Sequence, residues 1–169
     1  MNALHQNRIV TGKAPGVFAP HDQITRAEYI TILVRAFGLK AENAKNVFTD
    51  VAEGEWYTEA ISAASALGVV QGISETEFGV DLPITRQDMF VMLYRLMQSL
   101  GIQFDCIRDA DEITDQEMIA DYAAEAVEAM YCTGIVNGIG DGRTAPEATA
   151  ERAEAAKIIY EVLVKSGRL

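Results

Sequence analysis

The sequence predicts an all-α fold, a pseudo-threefold array of helix–loop–helix repeats closed into one compact unit. Three observations carry that expectation. Ile9-Val-Thr-Gly12, Val69-Val-Gln-Gly72 and Ile135-Val-Asn-Gly138 are each followed fourteen residues later by an arginine: Arg26, Arg86 and Arg152. The residues beyond each arginine place apolar side chains on one helical face: Ile30, Leu33, Val34 and Phe37; Phe90, Leu93, Tyr94 and Met97; Ala156, Ile159, Tyr160 and Leu163. No long stretch alternates apolar and polar residues as a half-buried strand would. Self-similarity at a period of 60 and then 66 residues is the mark of a repeat architecture.

The elements follow in order. The copies divide the chain into 1–40, 41–103 and 104–169, the first incomplete because Met1 aligns with Ile61. Helices are expected near 25–38, 56–67, 85–100, 121–133 and 151–166. Thr25-Arg-Ala-Glu28 has the form of a capping box, in which hydroxyl and carboxylate satisfy first-turn N–H groups reciprocally. Thr85 to Asp88 repeats it with a shorter acid, whereas Glu151 is a poorer cap residue. Gly68 and Gly134 are expected to end the second type of helix in left-handed conformation. Linkers 69–84 and 135–150, rich in Gly, Pro and Asp, read as loops with a short extended pair. Ile107-Arg-Asp109-Ala110 aligns with Phe48-Thr-Asp50-Val51, which puts the extra six residues between Glu112 and Ile119. Met89 to Met97 reads as core, since Met fills irregular gaps.

Composition excludes several functions. The chain has 169 residues, 49% of them apolar, so a sizeable core is available and disorder is excluded. No apolar run is long enough to span a membrane. Fourteen Lys and Arg against 25 Asp and Glu leave a formal charge of −11, which argues against nucleic acid and anionic membrane surfaces as partners. The start, MNALHQNRIV, has no apolar core of a signal peptide. Cys106 and Cys132 are the only cysteines; one bridge is permitted, but two unpaired buried thiols are the expectation. No metal site is expected: Asp109, Asp111 and Asp115 hint at a calcium loop, yet Thr114 stands where glycine is needed and Ala120 where a bidentate acid is needed. His5 and His21 stand alone and read as solvated. No cofactor motif is present, and no nucleophile–base set that would make the chain an enzyme.

Phe48-x-Asp50-Val51, Trp56-Tyr57-x-x-Ala60-Ile61, Gly68-Val-Val-x-Gly72, Phe78 and Ile84-Thr-Arg86 resemble the S-layer homology repeat in order and spacing. The resemblance spans one half copy and two complete ones. It implies a pseudo-threefold helical unit that anchors exported proteins, without catalysis, to a secondary cell-wall polysaccharide, often through a pyruvylated sugar bearing a carboxylate. It also implies an extracellular, wall-associated location and binding grooves to which Arg26, Arg86 and Arg152 contribute.

The residue chemistry leaves two roles open for each candidate. An arginine beside the free N–H groups of a helix start makes a carboxylate site; alternatively each arginine pairs with an acid of a neighbouring copy and fixes the packing. Asp50 either accepts from sugar hydroxyls or caps the helix around Trp56, and Trp56 either covers a sugar ring or fills the core. Asp109 is the counterpart of Asp50, with Tyr122 in place of Trp56. Gly12, Gly72 and Gly138 allow either close backbone approach or ligand approach. Asp50, Trp56 and Arg86 are expected to share the best intact groove. The missing half copy is expected to leave Leu4, Ile9, Val10 and part of the Phe37 face uncovered, inviting self-association. The alternatives to wall anchoring are a structural repeat that binds protein and a fragment of a wall-active glycosidase, which needs two carboxylates facing across a cleft.

Overall fold

The computed structural model describes residues 4, 6–7, 9–12, 14 and 17–169. Among the described residues five helices fall where apolar periodicity places them: α1 (Arg26–Phe37), α2 (Thr58–Ala66), α3 (Arg86–Ser99), α4 (Ala124–Cys132) and α5 (Arg152–Lys165). Single 3-10 turns at Ala110–Glu112, Gln116–Met118 and Asp121–Ala123 lead into α4. Among the described residues the extended segments form isolated bridges rather than strands. Helix α1 packs on α2 and α3 on α4, while α1 also touches α3 and α5.

The long helices begin at the centre of the molecule. Ile24, Ile84 and Ala150 are fully buried there, and their backbones form a closed cycle. Ile24 N–H donates to Ala150 O at 3.1 Å, Ala150 N–H to Ile84 O at 2.9 Å, and Ile84 N–H to Ile24 O at 3.0 Å. The first two N–H groups of each helix go to a neighbouring copy as well. Arg26 donates to Leu82 O (3.0 Å), Arg86 to Ala148 O (2.8 Å) and Arg152 to Asp22 O (2.9 Å); Ala27, Gln87 and Ala153 donate to Val80, Pro146 and Pro20. These amides would otherwise lack partners.

Caps add to this. Thr25 and Glu28 form the expected reciprocal box. Thr85 Oγ1 accepts from Asp88 N, but no return bond from Asp88 is made, because its shorter carboxylate is turned to other partners. Glu151 N–H donates to Glu154. The poor cap residue is tolerated because the amides of Arg152 and Ala153 are already satisfied by the neighbouring copy. Gly68 and Gly134 adopt the expected left-handed conformation. Met89, Met92 and Met97 are buried, as expected. The buried Tyr29 hydroxyl donates to Met89 O, joining α1 to α3.

Three expectations are corrected. The first copy leaves no uncovered apolar face at the described residues: Leu4, Ile9, Val10 and Phe37 are only 1–7% exposed. Ile9 and Val10 donate to Leu4 O as Val69 and Val70 donate to Ala64 O, so this segment closes like its counterpart and gives no reason for self-association. Second, Cys106 and Cys132 are bonded to each other. The disulfide ties the loop before the 3-10 turns to the end of α4, beside an Ile107 N–H bond to Cys132 O. Spacing could not show this, because only the tertiary fold brings that loop back onto α4. Third, His21 is exposed but not alone, lying 3.1 Å from Glu151. His5 lies outside the described residues.

The disulfide spans a sequence separation of 26, for which loop-closure entropy corresponds to about 3.5 kcal/mol. Replacing both cysteines by serine is therefore expected to lower the unfolding free energy by that order in urea titrations, with native helical circular dichroism retained. An unchanged midpoint would remove the bond from the stability of the fold.

Candidate functional site

The three repeated arginines are buried, with relative exposures of 4–5%, and each reaches into the next copy around the ring. Arg26 Nε donates to Phe78 O (2.9 Å), Nη2 to Gln71 O (3.1 Å) and Nη1 to Asp88 (3.2 Å). Arg152 repeats the set with Phe18 O, Thr11 O and Glu28, each at 3.0 Å. Arg86 Nε donates to Thr144 O (2.7 Å), and its Nη1 pairs with Glu154. The guanidinium fork suits this task, since its donors diverge in a fixed plane. Burial lowers the pKa of Arg26, opposed chiefly by Asp88. Of the two roles open to these arginines, cross-repeat pairing is the one the structure displays. The helix-start amides beside them are occupied by backbone carbonyls and are not free to bind a carboxylate.

Asp50 does not cap the helix after Trp56, whose N-cap residue is Tyr57. Its carboxylate accepts from the amides of Phe78 (2.8 Å), Gly79 (2.7 Å) and Val80 (3.2 Å), holding the loop whose carbonyl receives Arg26. Partial burial opposes its ionisation, but the amide donors outweigh that and hold its pKa below the ordinary carboxylate range. The counterpart in the third copy is Asp115, not Asp109. Asp115 accepts from Thr144 N (2.9 Å), Thr144 Oγ1 (3.0 Å) and Ala145 N (2.7 Å), and burial is again outweighed so that its pKa is lowered. Asp109 merely accepts from Asp111 N at the start of a 3-10 turn. Thr114 N–H donates to Gly142 O as Thr49 N–H donates to Thr76 O, so five of the six extra residues lie upstream of Ile113 and the sixth between Asp115 and Tyr122. Asp115 is thus a loop clamp.

The repeated glycines serve backbone approach. A Cβ at Gly12 would overlap Val17 O, one at Gly72 would overlap Glu77 O, and one at Gly138 would overlap Arg143 O. Only Gly138 also has a positive φ, of 70°.

Two grooves open between copies. One, of about 390 Å³, is lined by Gly12, Glu28, Ile32, Arg35, Trp56 and Arg152. The other, of about 470 Å³, is lined by Gly72, Asp88, Met92, Arg95, Tyr122 and Arg26. They match position for position, and each draws its arginine, its glycine–acid pair and its aromatic from three different copies. Trp56 is 55% exposed and Tyr122 58%, so neither fills the core. Tyr122 OH donates to Asp88 (2.7 Å); burial, followed by that carboxylate, pushes its pKa up to about 12.

The expected grouping of Asp50, Trp56 and Arg86 is therefore corrected: Trp56 stands with Arg152, Asp50 supports the Arg26 loop, and Arg86 meets Glu154. A ring of three forces this separation, because each arginine points away from its own copy. Arg35 and Arg95 were missed, although they recur in register nine residues after Arg26 and Arg86. The corresponding position after Arg152 is Glu161.

The sequence profile of the S-layer homology domain matches residues 1–30, 47–90 and 112–156. The chain belongs to the S-layer homology family. Its third matched segment starts beyond Asp109 and contains Asp115, in agreement with the clamp geometry. Relatives include an amylopullulanase of Thermoanaerobacterium thermosulfurigenes, 34% identical over all of this chain and 9% of its own length. A surface-layer 125 kDa protein of Lysinibacillus sphaericus is 32% identical over 77% of the chain and 10% of its own length. A cellulosome-anchoring protein of Acetivibrio thermocellus is 25% identical over 90% of the chain and 34% of its own length. The chain thus spans about a third or less of the length of these relatives.

Two predictions follow from the S-layer homology geometry. Arg86→Ala strips a buried cation from Glu154 and Thr144, at a cost of about 3 kcal/mol; the urea midpoint is expected to fall accordingly, and Arg86→Lys to recover only part. Asp50 and Asp115 have lowered folded-state pKa values, so their contribution is full above the unfolded value of about 3.9 and is lost as pH falls through the folded value. Asp50→Asn with Asp115→Asn is expected to flatten the fall of the thermal midpoint below about pH 4. A parallel, merely displaced curve would assign the acid sensitivity elsewhere.

Proposed function

We propose that the chain is a non-catalytic anchoring module that holds an attached protein to the cell wall through an anionic secondary wall polysaccharide. One observation carries the reading: two equivalent grooves each combine an exposed aromatic ring with a second arginine above a buried arginine–acid pair. Trp56 and Tyr122 offer apolar faces to sugar rings. Arg35 and Arg95 supply charge for a carboxylate such as that of a pyruvyl ketal. Arg26 and Arg152 form the groove floors, with their donors largely committed to protein. Arg86 is assigned to packing alone, because Glu161 would repel a carboxylate there. The three arginines thus divide between support and framework instead of contributing equally to binding.

The relatives support a surface location, since they include a surface-layer protein and a cellulosome-anchoring protein. The Cys106–Cys132 bond fits an exported module, because disulfides persist in oxidising compartments. Repeats 1–40, 41–103 and 104–169 act as one unit in this reading, as each of the two matching grooves draws on all three copies.

The test is sedimentation with purified Gram-positive wall sacculi, before and after removal of the secondary polymer. Binding is expected to the intact sacculi only. Trp56→Ala with Tyr122→Ala is expected to weaken it by about tenfold, or ~1.4 kcal/mol, with the melting curve unchanged. Equal binding to stripped sacculi, or undiminished binding by the folded double variant, would overturn the reading.

A further inference from the structure

The Trp56 groove continues into a larger trough of about 890 Å³ between α1 and α2, and Trp56, Thr31 and Arg35 line both. Past Trp56 the trough carries Arg35, Lys40 and Lys45 against Glu53 and Glu59, a net charge of +1 in a chain of formal charge −11. Among the described residues these three cations make none of the ion pairs, which involve His21, Arg26, Arg86 and Arg152. Sixty residues on, the positions of Lys40 and Lys45 hold Leu100 and Asp105, so the basic extension belongs to the first groove alone.

We propose that this trough holds a second anionic unit of an extended acidic glycan, adjoining the unit bound in the Arg152 groove. The assignment rests on the wall-polysaccharide reading and adds a length requirement to it. A half-exposed indole shared by two continuous cavities suits successive sugar rings, and the cations beyond it suit a repeated carboxylate or phosphate on the same chain. Being exposed, they act by screened attraction, so their share of binding weakens with salt.

The experiment uses polysaccharide released by acid from wall sacculi, fractionated into single-sugar fragments and fragments of several repeat units, with calorimetry on the full chain. Lys40→Gln with Lys45→Gln is expected to weaken long-fragment binding by about tenfold, to leave single-sugar binding unchanged, and to reduce the salt dependence of the long fragment. Lys45→Glu is expected to act in the same direction, and more strongly than Lys45→Gln. Unchanged long-fragment affinity in both variants would overturn the trough assignment while leaving the anchoring reading intact, as would equal loss for both lengths. Competition by polyglutamate as effective as by the glycan would reassign the trough to acidic polypeptide. If the unmodified chain binds neither length, the anchoring reading falls and this one with it.

Discussion

The fold depends on a cyclic interlock in which every copy completes the next. Each long helix starts at the molecular axis, gives its first amides to a neighbouring copy and sends an arginine to that copy's loop and acidic residue. Because the arginines are buried, their charge is tolerable only while the carbonyls and the carboxylate are in place. Removing one copy would leave buried cations and helix-start amides without partners. The ring therefore closes as a whole, unlike an open solenoid, whose units depend only on nearest neighbours.

That interlock determines what is left for binding. Side chains at the inner end of each helix are consumed by packing, and Asp50 and Asp115 are consumed by the loops that receive the arginines. What faces solvent lies further along the helices, at Arg35 and Arg95, and on the aromatic that a third copy brings alongside. The grooves thus gain a floor fixed by packing, which suits the carbohydrate ligand proposed for them. The copies also diverge where the ring permits it. Glu28 both closes its cap and pairs with Arg152, while the shorter Asp88 releases its cap and takes the Tyr122 hydroxyl instead.

Charge is distributed accordingly. In a chain of net charge −11, the repeated arginines neutralise internal carboxylates, and Arg108 donates to the carbonyls of Tyr131 and Val136. The exposed cations beside Trp56 stand apart from this internal use, within a predominantly negative surface. In the reading proposed above, a small positive trough in such surroundings would attract a flexible acidic polymer only at short range, which favours a ligand already held by the adjacent groove.

Much was decided by the sequence alone. Three copies in register, apolar residues at helical spacing and the caps at Thr25 and Thr85 located the five helices of the described residues and their common pattern, because those signals are local. The pairing of side chains across copies was decided only by the tertiary structure. Asp109 matched the motif in sequence, yet Asp115 occupies the clamp, since the loop before Ile113 absorbs five of the six extra residues. Arg86 and Trp56 share a copy, yet the ring turns Arg86 to Glu154 and sets Trp56 beside Arg152. Cys106 meets Cys132 through the same returning loop. Linear spacing records which residues repeat; which copy each one meets depends on how three repeats close around an axis, and that is a property of the folded ring.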